Sequence, residues 1–320
     1  MTWLITGGAG YIGGHTVHQL AEAGRPVVVL DDLSSGSPDR LPDGVPLVVG
    51  STLDRALLDR TVREHGITGV VHIAAKKQVG ESVAEPLLYY RENLTGLQTV
   101  LAAAVAGGVR NVVFSSSAAV YGMPDVDLVT ESTPCAPINP YGETKLAGEW
   151  LVNSVGRAHG LSTVSLRYFN VAGTSSPRLA DDGVSNLVPM AFQRLTDGQA
   201  PLIFGDDYDT PDGTCVRDYI HVADIAAAHV AAVHRLDTAT EPLSLTLNIG
   251  RGEGVSVAEM LAVIARVTGN PTAPEVTPRR PGDPARVVAA ADLIHHELDW
   301  KARYDIDAMV TSAWNAWQLR

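Results

Sequence analysis

The stretch Trp3-Leu4-Ile5-Thr6-Gly7-Gly8-Ala9-Gly10-Tyr11-Ile12-Gly13 decides the fold. Four apolar or β-compatible residues run straight into a glycine-rich turn, and an amphipathic helical pattern over Tyr11–Ala23 follows. Glycines at Gly7, Gly10 and Gly13 let a backbone turn tightly and approach a pyrophosphate, whose charge the amides at a helix N-terminus can meet. A glycine turn on its own can merely pack a helix on a strand. Here Asp31 stands eighteen residues past Gly13, at the end of the next apolar burst. A carboxylate there can accept hydrogen bonds from an adenosine ribose and would repel a 2′-phosphate, so the expected cofactor is NAD rather than NADP.

Working outward, apolar bursts at Pro26–Leu30, Pro46–Val49, Gly69–Ile73, Asn111–Ser115 and Ser162–Leu166 alternate with helical patterns at Ala56–His65, Leu87–Ala106 and Tyr141–His159. Six strands with intervening helices predict a doubly wound parallel α/β sheet of the Rossmann type. After about Arg167 the rhythm breaks into loops rich in Gly, Pro and Asp, with isolated helical patterns at Val222–Arg235 and Val255–Val267. The expected organisation is an NAD-binding Rossmann domain over 1–170, to which later segments return, and a smaller C-terminal substrate-binding α/β cap over 171–320.

Composition narrows the partners. A formal charge of −12 repels polyanions, so neither nucleic acid nor an anionic membrane is an expected partner. An anionic ligand needs arginines of its own. The chain has two cysteines, Cys135 and Cys215, too few for a disulfide framework, which fits a reducing cytoplasm. No charged leader precedes an apolar stretch, and no apolar run is long enough for a bilayer. His221 and the pair His295-His296 lack partner ligands at suitable spacing, so no metal is expected.

Tyr141-Gly142-Glu143-Thr144-Lys145 opens a helix after Pro140, and the i,i+4 spacing stacks the tyrosine and lysine on one face. An ammonium beside a phenol favours the phenolate, which predicts a lowered pKa for Tyr141 and a base usable near neutral pH. The run Ser115-Ser116-Ser117 follows the fifth strand at the carboxyl edge of the sheet, where a hydroxyl can orient a substrate oxygen.

These motifs, with Lys77-Gln78-Val79-Gly80-Glu81-Ser82, Arg167-Tyr168-Phe169-Asn170, Gly213–Val222 and Pro278–Asp283, resemble the extended short-chain dehydrogenase/reductases. Within that superfamily the chain is similar to the NAD-dependent nucleotide-sugar 4-epimerases over nearly its whole length. The resemblance implies inversion at carbon 4 of a UDP-hexose, UDP-glucose or UDP-galactose, through a transient 4-keto sugar. Tyr141 is implied as proton acceptor, Ser117 as its partner on the reacting oxygen, and Lys145 as the group that tunes Tyr141 and holds the nicotinamide ribose. Cofactor contacts are implied at Gly7, Gly10, Tyr11, Ile12, Gly13, Asp31, Asp32, Ala74, Lys77, Asn93, Ser115, Tyr168 and Phe169.

For the sugar nucleotide the resemblance implies Lys77, Asn170, Asn186, Leu187, Leu202, Ile203, Phe204, Arg217, Arg280 and Asp283. Arg217 and Arg280 fit a diphosphate because it needs charge-assisted donors in this acidic chain, whereas Arg279 is expected in solvent. The resemblance also implies a homodimer formed by the helices near Leu87–Ala106 and Tyr141–His159. Three positions depart from what the resemblance implies, one at the cofactor and two at the sugar. Ser51 replaces an aspartate that meets the adenine, Lys76 adds a cation next to Lys77, and Val287 stands where a residue gates sugar size. A cationic, open pocket would accept a carbon-6 carboxylate, making UDP-glucuronate/UDP-galacturonate interconversion the alternative substrate pair, with Lys76 on the acid. Ser117-Ala118-Ala119 lacks the acidic pair a 4,6-dehydratase needs, and retention of Ser117, Tyr141 and Lys145 argues against a non-catalytic NAD module.

Overall fold

The computed structural model describes residues 1–280 and 282–320; Pro281, within the Pro278–Asp283 block, lies outside the described residues. The strands are β1 (Thr2–Thr6), β2 (Val27–Asp31), β3 (Leu47–Val49), β4 (Ile67–His72), β5 (Asn111–Ser117), β6 (Ser162–Tyr168), β7 (Asn170–Ala172), β8 (Leu202–Phe204), β9 (Val216–His221), β10 (Ser244–Ile249), β11 (Gly254–Ser256), β12 (Glu275–Thr277) and β13 (Arg286–Val287). The α-helices are α1 (Tyr11–Glu22), α2 (Arg55–Glu64), α3 (Val79–Ala84), α4 (Pro86–Tyr89), α5 (Gly96–Ala106), α6 (Pro140–His159), α7 (Leu187–Thr196), α8 (Val222–Asp237), α9 (Val257–Thr268), α10 (Asp292–Leu298) and α11 (Ile306–Trp317), with short 3-10 turns at Pro38–Arg40, Ala118–Tyr121 and Pro177–Leu179.

The main sheet runs β10-β6-β5-β4-β1-β2-β3 with every pairing parallel. This is the expected Rossmann arrangement with one strand more than the rhythm of the sequence predicts. The extra strand, β10, comes from beyond residue 171, and α8 packs against α1. Strand order reverses between β1 and β4, so their carboxyl ends open a crevice at the switch point. Strands such as β2 and β5 are buried along their whole length, as a sheet covered on both faces requires. The core between sheet and helices includes Trp3, Ile5, Val29, Val113, Leu166, Ile225 and Leu247.

The rest of the chain gathers around a small sheet, β11-β9-β13 with β7 on β9, and the pair β12-β8. A separate apolar cluster of Val188, Phe192, Tyr219, Met260, Ile264 and Met309 holds α7, α9 and α11 there.

The predicted single helix over Leu87–Ala106 is interrupted. A π-helical turn at Tyr90–Thr95 separates α4 from α5. Gly96, the first residue of α5, lies so near α2's approach that a Cβ on it would stand 2.6 Å from the Thr52 hydroxyl. The wide turn carries Asn93, whose amide takes the Lys76 N–H at 2.7 Å and donates to the Lys76 carbonyl at 3.0 Å.

Candidate active site

Two clefts meet the sequence-derived residues. The first, about 520 Å³, lies at the β1/β4 switch point and is lined by Gly7, Gly10, Tyr11, Ile12, Gly13, Asp31 and Asp32. Ala74, Lys76, Lys77, Tyr141, Lys145 and Tyr168 line it as well. The second is lined by Asn170, Asn186, Leu187, Leu202, Ile203 and Phe204, together with Arg217, Arg280 and Asp283. Ser185 lines both.

The glycine turn fits a dinucleotide. Gly7 adopts φ +72°, and a Cβ on it would stand 2.7 Å from the Ala74 nitrogen. A Cβ on Gly13 would come within 2.0 Å of the Gly7 carbonyl oxygen. Gly10 caps α1 with no side chain on the first amides, and no acidic residue sits in the first turn. The amides and the positive end of the helix dipole therefore face the cleft unopposed, an arrangement suited to a pyrophosphate. The Asp31 carboxylate accepts the Ala9 and Leu33 N–H groups, both at 2.9 Å. Burial raises its pKa, and those two bonds work against the rise. Asp32 instead closes a local turn with Ser34. Ser51 likewise serves its own turn, accepting the Leu53 N–H at 3.1 Å.

The serine run anchors one face of α6. The Ser115 carbonyl accepts the Lys145 ammonium at 2.7 Å, and its hydroxyl pairs with His229 at 2.8 Å. The Ser116 hydroxyl donates to Glu149 at 2.5 Å. Ser117, 8 % exposed, accepts the Ala119 N–H at 3.2 Å and acts on the Tyr141 phenol. Asn139 caps α6 on the Gly142 N–H at 2.9 Å, and Pro140 occupies the first turn. Tyr141 and Lys145 thus enter the cleft from a helix start fixed at both its cap and its buried face.

The electrostatics correct one expectation. Burial holds the Tyr141 phenol above its ordinary value, and Ser117 pulls it only partly back. Lys145 stands 5.9 Å from the Tyr141 ring centroid with its ammonium on the Ser115 carbonyl. Burial lowers Lys145 itself to about 8, opposed by the charge of Glu149. Desolvation, which a linear motif does not reveal, therefore dominates both groups.

Asn93, Ser115 and Phe169, expected on the cofactor, and Ser117, expected on the substrate oxygen, are not on the wall of either cleft. Asn93 braces Lys76 and donates to Thr144 at 3.1 Å, so it joins the loop after β4 to α6. Ser115 is wholly buried behind Lys145. Phe169 packs with Val120, Tyr121, Val129, Leu146 and Val287. Val287, expected to gate sugar size, is held in that same cluster and paired with Arg217 in the β13–β9 ladder.

In the second cleft the Arg280 guanidinium lies 3.6 Å from the Phe204 ring centroid, and Arg217 approaches Asp283 at 3.6 Å. Asn186 donates to Asp181 at 2.9 Å. Arg279 faces solvent as an exposed pair with Asp207, stacked on Tyr208. No group of metal-ligating side chains occurs among the described residues. None of their helices is long and apolar enough to cross a membrane.

Residues 3–250 match the model of the NAD dependent epimerase/dehydratase family. The chain belongs to that family. A UDP-glucose 4-epimerase of Azospirillum brasilense is 46% identical over 315 residues, covering 97% of this chain and 90% of that protein. The crystal structure of UDP-glucose 4-epimerase from Brucella ovis in complex with NAD superimposes with a TM-score of 0.93 at 40% identity, covering 98% of each chain. The Bifidobacterium longum enzyme in complex with NAD+ and UDP gives a TM-score of 0.93 at 38% identity, covering 100% of this chain and 99% of that one. Family membership and the Rossmann fold were both readable from the motifs.

Two parts of the site escaped the sequence reading. Glu149 stands one helical turn beyond Lys145 and is held by Arg167 through Nε at 2.8 Å and Nη2 at 2.6 Å. The continuing four-residue spacing from Tyr141 through Lys145 to Glu149 was the available signal. Arg40 also lines the first cleft although 5 % exposed, and no local motif marks it.

Proposed function

We propose that this family member inverts the carbon-4 hydroxyl of a UDP-hexose, interconverting UDP-glucose and UDP-galactose with NAD as resident cofactor. The observation that carries the reading is the meeting of Tyr141, Lys145 and a glycine-cradled cleft with a neighbouring pocket that holds Arg217 and Arg280. The glycine turn, the open amides of α1 and Asp31 would hold NAD, which when bound accepts and returns the hydride at carbon 4. Tyr141 takes the proton of the carbon-4 hydroxyl and gives it back, while Ser117 orients that oxygen. Lys145 supplies the nearby positive charge that favours phenolate against the cost of burial. Arg217 and Arg280 hold the diphosphate, and the Phe204 ring beneath Arg280 steadies its guanidinium by a cation–π contact. Relatives named UDP-glucose 4-epimerase at 41–46% identity support the same substrate pair.

The uronate pair is favoured by one specific feature. Lys76 lines the first cleft with Tyr141 and forms no ion pair with a described residue. Offering UDP-glucose, UDP-glucuronate and UDP-N-acetylglucosamine separately to the purified protein, with products resolved by NMR, decides between them. UDP-galactose from UDP-glucose is the expected product; a 4-epimer from UDP-glucuronate alone selects the alternative, and no 4-epimer from any of the three overturns the proposal.

We also propose a homodimer built on the helices over Leu87–Ala106 (α4 and α5) and on α6, with α3 packed beside α4 and α6. Val83, Leu87 and Trp150 on these helices are 64%, 84% and 63% exposed. Large apolar side chains left so open on packed helices suit a second copy. Trp150→Glu is expected to convert a dimer to a monomer in sedimentation equilibrium, and an unchanged mass would refute this assembly.

A further inference from the structure

We propose that residues 174–186 form a strap fastened through Arg40 across the end of the cofactor cleft that carries Asp31 and Asp32. The fastening sets how slowly the cofactor leaves. The inference rests on the reading of this cleft as an NAD site and adds a retention role for a part of the chain outside the glycine turn.

The strap is stitched at its base to the helix that begins the cofactor site. Tyr11 donates its hydroxyl to the Gly173 carbonyl. His15 joins its Nδ1 to the Tyr11 carbonyl at 2.8 Å and accepts the Ser175 N–H on Nε2 at 3.0 Å. That pattern needs a neutral ring with its proton on Nδ1, and burial lowers His15 to about 4, which keeps it neutral. Beyond the base, Leu179 is buried against Gly14 of α1, where a Cβ would stand 3.2 Å from it and 3.3 Å from the Arg40 Cβ. Gly14 thus leaves the room in which strap and arginine meet.

The outer half is held by arginines. Arg40 donates from Nη2 to the Ala180 carbonyl at 3.0 Å and pairs with Asp182. Arg178 reaches back from the strap to the carbonyls of Asp39 and Leu41, the latter at 3.1 Å. Arg320 donates to the Asp181 carbonyl. Held in this way, Asp181 to Ser185 form part of the wall of the cofactor cleft. The Arg40 Nε is buried without an acceptor among the described residues, so the strap does not use all of this guanidinium's donor capacity.

The two partners of Arg40 differ in weight. Asp182 has a side chain 72% exposed, so its ion pair is screened. The bond to the Ala180 carbonyl is charge-assisted and made by a buried donor, and it dominates. Opening the strap requires that bond to break, and a dinucleotide lying beneath it can leave only while the strap is open.

The test loads the full-length protein with NAD and follows exchange of the bound cofactor for isotopically labelled NAD by mass spectrometry. Arg40→Met keeps the stem against Gly14 and is expected to speed exchange about 10-fold, with Asp182→Asn giving about 2-fold. Arg55→Met, which removes an exposed pair with Asp59, serves as control and should exchange at the wild-type rate. Wild-type exchange rates in Arg40→Met and Asp182→Asn overturn the proposal. Should circular dichroism show Arg40→Met unfolded, the double variant Arg178→Met with Asp182→Asn decides in its place, since both side chains are exposed and together they release the strap from the Asp39 and Leu41 carbonyls and from the Arg40 charge; equality with wild type then overturns the strap. A wild-type protein that takes up no NAD overturns the cofactor reading and the strap together, an outcome distinct from loaded protein with unchanged exchange.

Discussion

Tyr141→Phe is expected to lower turnover by about 10²- to 10⁴-fold while the protein keeps its fold and its NAD. The ring is buried and remains, so packing changes little; only the group that exchanges the proton is lost. Epimer formation followed by NMR, with bound NAD measured after acid release, gives both readouts. A variant that keeps more than a tenth of wild-type turnover removes Tyr141 from its role. The wild-type rate carries a related signature. Lys145 lies near 8, so its ammonium is present below that pH and is lost as pH rises through it, and turnover should fall on that limb.

Glu149→Ala is expected to cost about 3–5 kcal/mol of stability, because it leaves the Arg167 guanidinium charged and buried without its carboxylate. Both side chains are under 8% exposed, so water offers little compensation. The loss extends through a network. Arg167 donates to the Tyr121 hydroxyl at 2.8 Å, which in turn donates to Asn248 at 2.7 Å. Glutamate, arginine and asparagine thus tie α6 to β6 and β10. Replacing both charges, as in Glu149→Leu with Arg167→Met, is expected to recover much of the deficit, since the pair's desolvation cost disappears with it. Urea denaturation of the single and double variants checks the ordering; a single variant no worse than the double would show that the pair does not carry this weight.

The sheet was legible because its signal is local and periodic. Trp3–Thr6, the glycine turn and the later apolar bursts each declare a strand or a strand-to-helix junction within a few residues. Strand β10 was not, since Ser244-Leu245-Thr246-Leu247-Asn248-Ile249 lies in a region without the alternating rhythm and finds its partner, β6, about eighty residues back. Within the site, the residues lining the two clefts were largely accessible through motif likeness. What burial does to them was not: the Tyr141 phenol is pushed up by its surroundings, and Asn93, Ser115 and Phe169 are turned inward by packing that no short motif encodes. Arg40 and residues 174–186 are more than a hundred and thirty positions apart, and nothing at either end announces the other.

The run Ser115–Ser117 has a consequence for how this molecule can diversify. Through Ser115 it grips α8 and Lys145, through Ser116 the Glu149–Arg167 pair, and through Ser117 the Tyr141 phenol, all from one strand of the large sheet. The arginines proposed for the diphosphate hang instead on β9 and the segment after β12. What is recognised can therefore be altered on β9 and the segment after β12 without touching any contact of the serine run.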